Sequence, residues 1–505
     1  MKKLYVVDLS KNNFDVKIYD SEIIYIDSGN ISITNSKELK LNNLIKNKNI
    51  KKLFLNSLKK KIKSNKNYFL KELEIYNIRN DKNISISKIL NYLKLKSFIN
   101  KNYKKYKIHC ISDNAFTVDM LNQITKKKIK NEYYLISPEK IIKTNHNLFF
   151  FKFILKIIVV IAIIKLFDQK NIINRLTYNK KKWAISLFPN FYKSKNELFF
   201  GNNFNKINFL FSDETHLNHS FLKILKIYFN NRSNILNMES FINLKDIFLA
   251  IKSKFFKNKK YKHYLNDTFF IDGLDFTNFY LTSNVDSYIN RSKLLVYDQA
   301  ISRFQKFYNL KELHLYLFEY NFGFYLIRQL KKVKCKIIGY QHGVFDKNFF
   351  WLDLIASNKD KVFYPNTIVS NYAESLKFYK LKYKNKEIKY IMVKKNISEI
   401  AKNIKINKKN LNKVEILFVA GTHDIRDIYN YCTKEVAKNR RCYFYIKTHP
   451  KNKFLFHDEK NIKKINKLNK KSFHKIFISS TSTINYDMTI LKKEFSIFQS
   501  DYKSC

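Results

Sequence analysis

Three short polar clusters in the last third of the chain hold the residue types that bind anions and move protons. Gly339-Tyr340-Gln341-His342-Gly343 follows the apolar run CKII, Lys447-Thr448-His449-Pro450 follows CYFYI, and Ser479-Ser480-Thr481-Ser482-Thr483 follows KIFI. A histidine can donate to a phosphate oxygen and steady charge on a departing group. Pro450 keeps the residue before it extended, so the strand ends sharply with the His449 imidazole at its tip. Lys447, two residues back on the same strand face, adds positive charge. A helix N-cap needs one hydroxyl. A run of five, led by Ser479, Ser480 and Thr481, suggests an anion held by hydroxyls and free backbone N–H groups. Gly339 and Gly343 allow the backbone to approach a ligand closely, with Gln341 and His342 as hydrogen-bonding arms. The plainer account of that cluster is a tight turn between strand and helix.

A transfer to a hydroxyl also needs a proton acceptor. Glu319 at the end of LHLYLFE, His342, and Asp424 in AGTHDIRD are the catalytic candidates. Asp213 and Glu214 in FSDETH are a further carboxylate pair able to divide acid and base roles. His423 beside Asp424 makes no metal-ligand spacing. No metal and no cofactor are expected, and a nucleotide would enter as substrate.

The elements that must position these groups are short apolar runs separated by amphipathic ones. Strands are expected at 3–8, 15–19, 22–26, 107–111 and 132–136, with helices over 88–99 and near 118–128. They make an N-terminal α/β region over 1–145. LFFFKFILKIIVVIAIIKLF (148–167) is long enough to span a bilayer. Lys152, Lys156 and Lys165 interrupt it, so a helix lying in the headgroup plane is expected, with a core helix and a true span as the alternatives. From Trp183 strands recur at 184–188, 207–211, 313–319, 336–340 and 366–371, with helices at 219–229 and 320–332. This second unit covers 180–395. An Asn/Lys-rich linker is expected at 396–413. A third unit over 411–505 has strands at 414–421, 441–450, 475–483 and 495–498 and helices near 427–438 and 484–491. Strand, helix, strand with short loops is the pattern of a parallel sheet in the α/β class. Ligands bind such sheets at the carboxyl ends of the strands, where all three polar clusters fall.

Composition narrows the partners. The formal net charge is +55, yet only 9 of the 96 basic residues are Arg. Asn, Ile, Phe and Tyr are abundant too, the bias of AT-rich coding sequence. The lysines are spread along the chain rather than gathered in a stripe, and no zinc-finger spacing or RNA-binding aromatic signature occurs, so nucleic acid is not expected. Attraction to an anionic membrane surface or an anionic sugar nucleotide is. The five cysteines show no CxxC, which argues against a disulfide framework and fits a reducing compartment. The apolar run at the N-terminus is too short for a signal peptide.

With these residues in view, the chain resembles GT-B glycosyltransferases of bacterial surface-polysaccharide assembly, in O-antigen and capsule loci. The similarity runs through LYLFEYNFGFYLIRQL, IIGYQHGVF, YPNTIVSNYAESLKFY, ILFVAGTHD, YIKTHP and ISSTST, over about 313–485. The His-Pro and Ser/Thr pair is also similar to the donor site of sialyltransferases and Kdo transferases. The resemblance implies two Rossmann-like lobes in addition to the N-terminal region, with 180–395 on the acceptor side and 411–505 on the donor side. It implies His449 on the donor phosphate of a CMP-sugar with Ser479, Ser480 and Thr481 beside it, and inverting, metal-independent transfer to a glycan or lipid-linked glycan. The protein would be peripheral on the inner face of the bacterial cytoplasmic membrane. A CDP-alditol phosphotransferase and a non-catalytic scaffold of polysaccharide assembly are the alternatives. Two departures stand out. Phe322-Gly323 replaces a Trp-Glu pair found in many relatives, and the chain stops at Cys505, so a donor lobe cut short is expected.

Overall fold

Apolar runs that continue rather than alternate belong to strands covered on both faces. In the computed structural model they assemble into the parallel sheets of an α/β protein. The structure describes residues 1–9, 21–26, 37–39, 41, 50, 52–57, 60, 86–113, 115–132, 151–159, 161–162, 182–185, 207–211, 235–256, 269–277, 296–316, 318, 321–341, 364–384, 387–393, 397–407, 413–421, 424–449, 460–465, 468, 472–480 and 482–499. The strand expected at 15–19, most of that at 132–136 and the helix at 219–229 lie outside the described residues.

Strands β1 (Lys2–Asp8), β2 (Ser21–Tyr25), β3 (Lys37–Glu38) and β4 (Tyr106–Ser112) form a sheet in the order β3-β2-β1-β4, parallel throughout. Leu4 and Val6 face the main core, while Tyr5 and Val7 pack with Ile23 and Ile111 on the other face. Helix α1 (Ile86–Asn102) buries Ile89, Tyr92 and Leu93, and α2 (Ala115–Thr125) buries Met120, Leu121 and Ile124. Both sets follow the three-to-four-residue spacing of one helix face. Asp8, buried at the carboxyl end of β1, is fully engaged. Lys88 Nζ donates to its Oδ1 at 2.8 Å and Thr117 Oγ1 to its Oδ2 at 2.6 Å.

The second sheet begins with β5 (Lys182–Ile185), β6 (Ile207–Phe211) and β7 (Ile235–Asn237). Helix α3 (Leu244–Phe256) and a small antiparallel hairpin follow, the latter made of β8 (Phe270–Ile271) and β9 (Leu274–Asp275). Its Asp272-Gly273 turn has φ of 51° and 72°, the positive angles that two-residue hairpin turns require. The hairpin joins the N-terminal unit to the middle of the chain. The Gln123 side chain accepts from Asp275 N at 2.8 Å, Lys96 donates to Asp272, and Phe276 packs against Tyr92 and Phe116.

The second sheet resumes with β10 (Glu312–Tyr316), helix α4 (Asn321–Lys332), β11 (Lys336–Gln341), β12 (Thr367–Ser370), helix α5 (Ala373–Tyr383) and β13 (Lys389–Met392). Its order is β13-β12-β11-β10-β5-β6-β7, all parallel. The order reverses between β5 and β10, where a doubly wound sheet opens its crevice. Phe318, in the turn after β10, packs instead on the β11 side, its ring 5.9 Å from that of Tyr379 in α5. A Cβ on Gly323 would lie 2.5 Å from the Phe318 carbonyl oxygen, and one on Gly339 would lie 2.6 Å from its ring. These two glycines are therefore fixed by packing.

The stretch 396–413 is not the bare linker expected from its composition. It holds helix α6 (Glu399–Asn403) and strand β14 (Lys405–Ile406). Ala401 and Ile404 pack into the core of the third sheet with Leu417, Val419, Ile476 and Met488. Ser398 caps α6, its Oγ accepting from Ala401 N at 3.2 Å. Lys493 Nζ donates to the carbonyls of Ala401, Lys402 and Ile404 at 2.7, 2.6 and 2.8 Å.

The third sheet has β15 (Val414–Val419), β16 (Cys442–Lys447), β17 (Ile462–Ile465), β19 (Lys475–Ser479) and β20 (Ser496–Phe498). Strand β18 (Ser472–Phe473) pairs with β14 beside it. Helices α7 (Ile425–Lys438) and α8 (Ile484–Ile490) follow β15 and β19. The order is β17-β16-β15-β19-β20, again parallel throughout. Among the described residues no helix is long and apolar enough to cross a membrane.

The wedge at Phe318 gives a ranked expectation. Gly323→Ala meets backbone, which cannot swing aside, and should cost about 1–3 kcal/mol. Gly339→Ala meets a ring that can tilt and should cost less. Urea denaturation of the two variants checks the order, and equal losses would contradict the wedge.

Candidate functional site

In the third sheet the chain goes from β15 to β16 on one side and later to β19 on the other, so the direction of winding changes between β15 and β19. The crevice of a doubly wound sheet opens at that point, on the carboxyl side. Ala420 and Gly421 leave β15 there, and Ser479 and Ser480 leave β19. Asp424 returns under these ends. Its Oδ1 accepts from Gly421 N at 2.8 Å, closing the loop, and its main-chain carbonyl starts α7 by accepting from Ile428 N at 3.0 Å. The residue is 1% exposed, and Oδ2 makes no full hydrogen bond among the described residues. Burial pushes the carboxyl above its ordinary 3.8, while the nearby Ser479 hydroxyl and the Gly421 N–H pull it back.

The tip of β16 lies next to β15, held by Ala420 N donating to Lys447 O at 3.0 Å. Thr448 is buried and His449 half-buried. Lys447 Nζ folds back onto the Thr448 carbonyl at 3.0 Å, and burial lowers its ammonium from the ordinary lysine value. Lys447, His449, Asp424, Ser479 and Ser480 thus come from three adjacent strands and share one sheet edge, as their positions after apolar runs predict.

The hydroxyl run proves less uniform than its sequence. Ser479 is buried toward Asp424. The Ser480 N–H donates to Phe498 O at 2.9 Å and the Ser482 N–H to Ser479 O at 3.0 Å. These two backbone donors, expected to be free for an anion, are spent on the edge strand and on a turn. Asn485, buried in the first turn of α8, directs Nδ2 to Ser480 O at 3.4 Å and leaves Oδ1 unpaired among the described residues. Sequence reading missed Asn485, because a single Asn in α8 gives no signal.

On the second sheet, Gly339 sits inside β11 opposite Leu315 and Ile368, where Phe318 requires its lack of a side chain. Gln341 is buried, its Oε1 accepting from Ser370 Oγ at 3.1 Å, so it braces β11 against β12. Tyr340 stacks on Tyr316 at 5.2 Å and bonds His314 Nδ1 at 2.7 Å. Glu319, His342, Gly343, Pro450, Thr481, Asp213, Glu214 and His423 lie outside the described residues. The two sheets meet through Tyr372, just after β12, and Tyr486 of α8, whose rings are 5.1 Å apart. Both tyrosines follow carboxyl strand ends, so the edges with the polar clusters approach each other at that point. Neither tyrosine was singled out from sequence; aromatic residues are too frequent in this chain to mark a contact. Among the described residues no three His, Cys, Asp or Glu gather to hold a metal ion.

Asp424 yields a pH-dependent expectation. A carboxyl whose folded pKa is raised contributes stability that is fully present below its unfolded value and lost as pH rises through the folded one. Asp424→Asn removes the ionised form. It should raise the melting temperature at neutral pH, with the gain shrinking as pH falls toward 3.8. Thermal scans across that range decide it, and a gain independent of pH would refute the assignment. In comparisons with known proteins, no family model matches the chain and no curated protein resembles it significantly.

Proposed function

We propose that this chain is a two-lobed glycosyltransferase of the GT-B type. It would move a sugar from a nucleotide donor, a CMP-sugar, to a surface-polysaccharide or lipid-linked glycan acceptor. The observation that carries this reading is the convergence of Lys447, His449, Asp424 and Ser479 at the winding reversal of one parallel sheet. The Tyr372–Tyr486 contact adds the carboxyl edge of a second parallel sheet on the facing side. The strand orders support two Rossmann-like lobes. Positive charge at the β16 tip suits a nucleotide phosphate, and His449 would steady the charge that gathers there as the sugar departs.

The acceptor hydroxyl attacks the anomeric carbon from the opposite face, so configuration inverts, and its proton passes to a base. The burial of Asp424 suits a positioning role, holding the Gly421 loop and Ser479 beneath the phosphate. Glu319 and His342, which follow β10 and β11 in sequence, are the candidates for the base.

One observation favours a second reading, a non-catalytic scaffold. The Ser480 and Ser482 N–H groups and the Gln341 side chain are already bonded within the protein. Calorimetric titration separates the two. CMP should bind the intact protein, and His449→Ala should weaken it about tenfold or more, the worth of one charge-assisted hydrogen bond. Absence of nucleotide binding by the intact protein would remove the transferase reading and leave the scaffold. Turnover of a CDP-alditol but not a CMP-sugar would keep the site and change the reaction to alditol-phosphate transfer.

A further inference from the structure

The amino edge of the first sheet gathers lysines that lie far apart in sequence. Helices α1 and α2 both run back from the carboxyl edge. The turns that follow them, KNYKKYK (101–107) and KKKIK (126–130), therefore come to the edge where β1 and β4 begin. These turns hold eight lysines, all exposed, and Lys2 and Lys3 at the start of β1 join them. Lys3 and Lys107 are register partners on neighbouring strands, about 4.8 Å apart. The backbone beneath is fixed. Lys2 N donates to Lys105 O at 3.0 Å, Lys105 N to Asn102 O at 2.9 Å and Ile129 N to Asn122 Oδ1 at 2.6 Å. Asn131 then pairs alongside Cys110 of β4, which keeps the second turn beside the first. Carboxylates are scarce there and already engaged. Glu22 accepts from the Tyr106 hydroxyl at 2.6 Å and is shared by Lys2 and Lys37, while Glu132 is held by His109 Nδ1 at 2.6 Å. Among the described residues no carboxylate pairs with a lysine of either turn. A lysine at a helix C-terminus answers the helix dipole, which accounts for Lys101 and Lys126. Lys104, Lys105, Lys107, Lys128 and Lys130 have no such role.

We infer that this edge holds a carboxylate-bearing polysaccharide chain, so that the acceptor glycan is an acidic one. The identity of the polymer rests on the transferase reading; the charge of the surface does not. Like charges crowded on one edge repel each other until a polyanion answers them. They extend over two strands and two turns, more than a single nucleotide can cover. A nucleic acid fits less well. Neither turn nor β1 contains Arg, whose planar fork matches phosphate oxygens. Only one exposed ring lies there among the described residues, Tyr103 at 61%, where single strands stack on a series of rings. Lysines act as separate point charges on flexible stems. They retain a chain of carboxylates without fixing its register, as a polymer that must slide during growth requires. Tyr103, with Lys104 Nζ 5.8 Å from its ring centre, adds an apolar surface for a sugar ring.

The full chain is tested by fluorescence anisotropy with labelled oligogalacturonate, a glycan with a carboxylate on every sugar, and with neutral dextran. The acidic glycan should bind, more weakly as salt is raised, and dextran should not. The triple variant Lys104→Gln, Lys105→Gln, Lys107→Gln should weaken binding about tenfold or more. Lys127→Gln, Lys128→Gln, Lys130→Gln, on the other turn, is a second and independent variant with the same expectation. A control that removes the same charge from α3 and beyond, Lys245→Gln, Lys252→Gln, Lys306→Gln, should change binding less than about twofold. CMP binding should be unchanged in all three, so failure here is distinguishable from failure of the transferase reading. Absence of binding to oligogalacturonate would overturn the inference. So would equal losses in the control and the edge variants, which would reduce the effect to net charge. Tighter binding of poly(U) than of oligogalacturonate at equal charge concentration would assign the edge to nucleic acid instead.

Discussion

Parallel pairing makes every strand of a sheet leave by the same edge, and each crossover must travel back before the next strand begins. All polar residues that follow apolar runs are therefore delivered to one side. Among the described residues that constraint operates in three larger sheets, of four, seven and five strands, with the same style of winding. In each the first strand lies inside the sheet, and the order reverses beside it. Crevice positions follow from topology before any side chain is considered.

Two of those positions hold a buried carboxylate, and their contrast separates structure from chemistry. Asp8 of the first sheet is answered by an ammonium and a hydroxyl at short distance, one for each oxygen. It serves as a keystone between strand and helices. Asp424 of the third sheet receives one backbone N–H on Oδ1, has a serine nearby, and is raised by burial. Desolvating a carboxylate without a countercharge lowers stability. Such groups gather where a ligand or a reaction uses the strain. In the second sheet Phe318 fills the space beside β11 by packing against Gly323 and Gly339, one strand away from the reversal between β5 and β10.

Much of this framework was legible in the residues. Runs such as ILFV and IFI are apolar at every position because both sheet faces are covered, and the Ser, His and Asp residues after them had to collect at one edge. Three things were not legible. Strand β17 reads IKKI, and its lysines disguise an edge strand that is exposed in part. Helix α6 rests on Ala401 and Ile404 amid Asn and Lys, too few apolar residues to show a period. The glycines of GYQHG pointed toward a ligand when read locally. The reason for Gly339 lies twenty-one residues earlier, in a ring delivered by another strand, and only tertiary packing brings the two together.

The clasp formed by Lys493 bears on how such a protein would move. One ammonium gathers three carbonyls at the end of α6, and Asp487 of α8 accepts from Ser398 N at 3.2 Å. The segment from Ser398 to Ile404 is thereby riveted to the third sheet and travels with it as a rigid body. Any bending between the second and third sheets is pushed upstream of Ser398. Such bending would part and re-form the Tyr372–Tyr486 contact like the jaws of a clip.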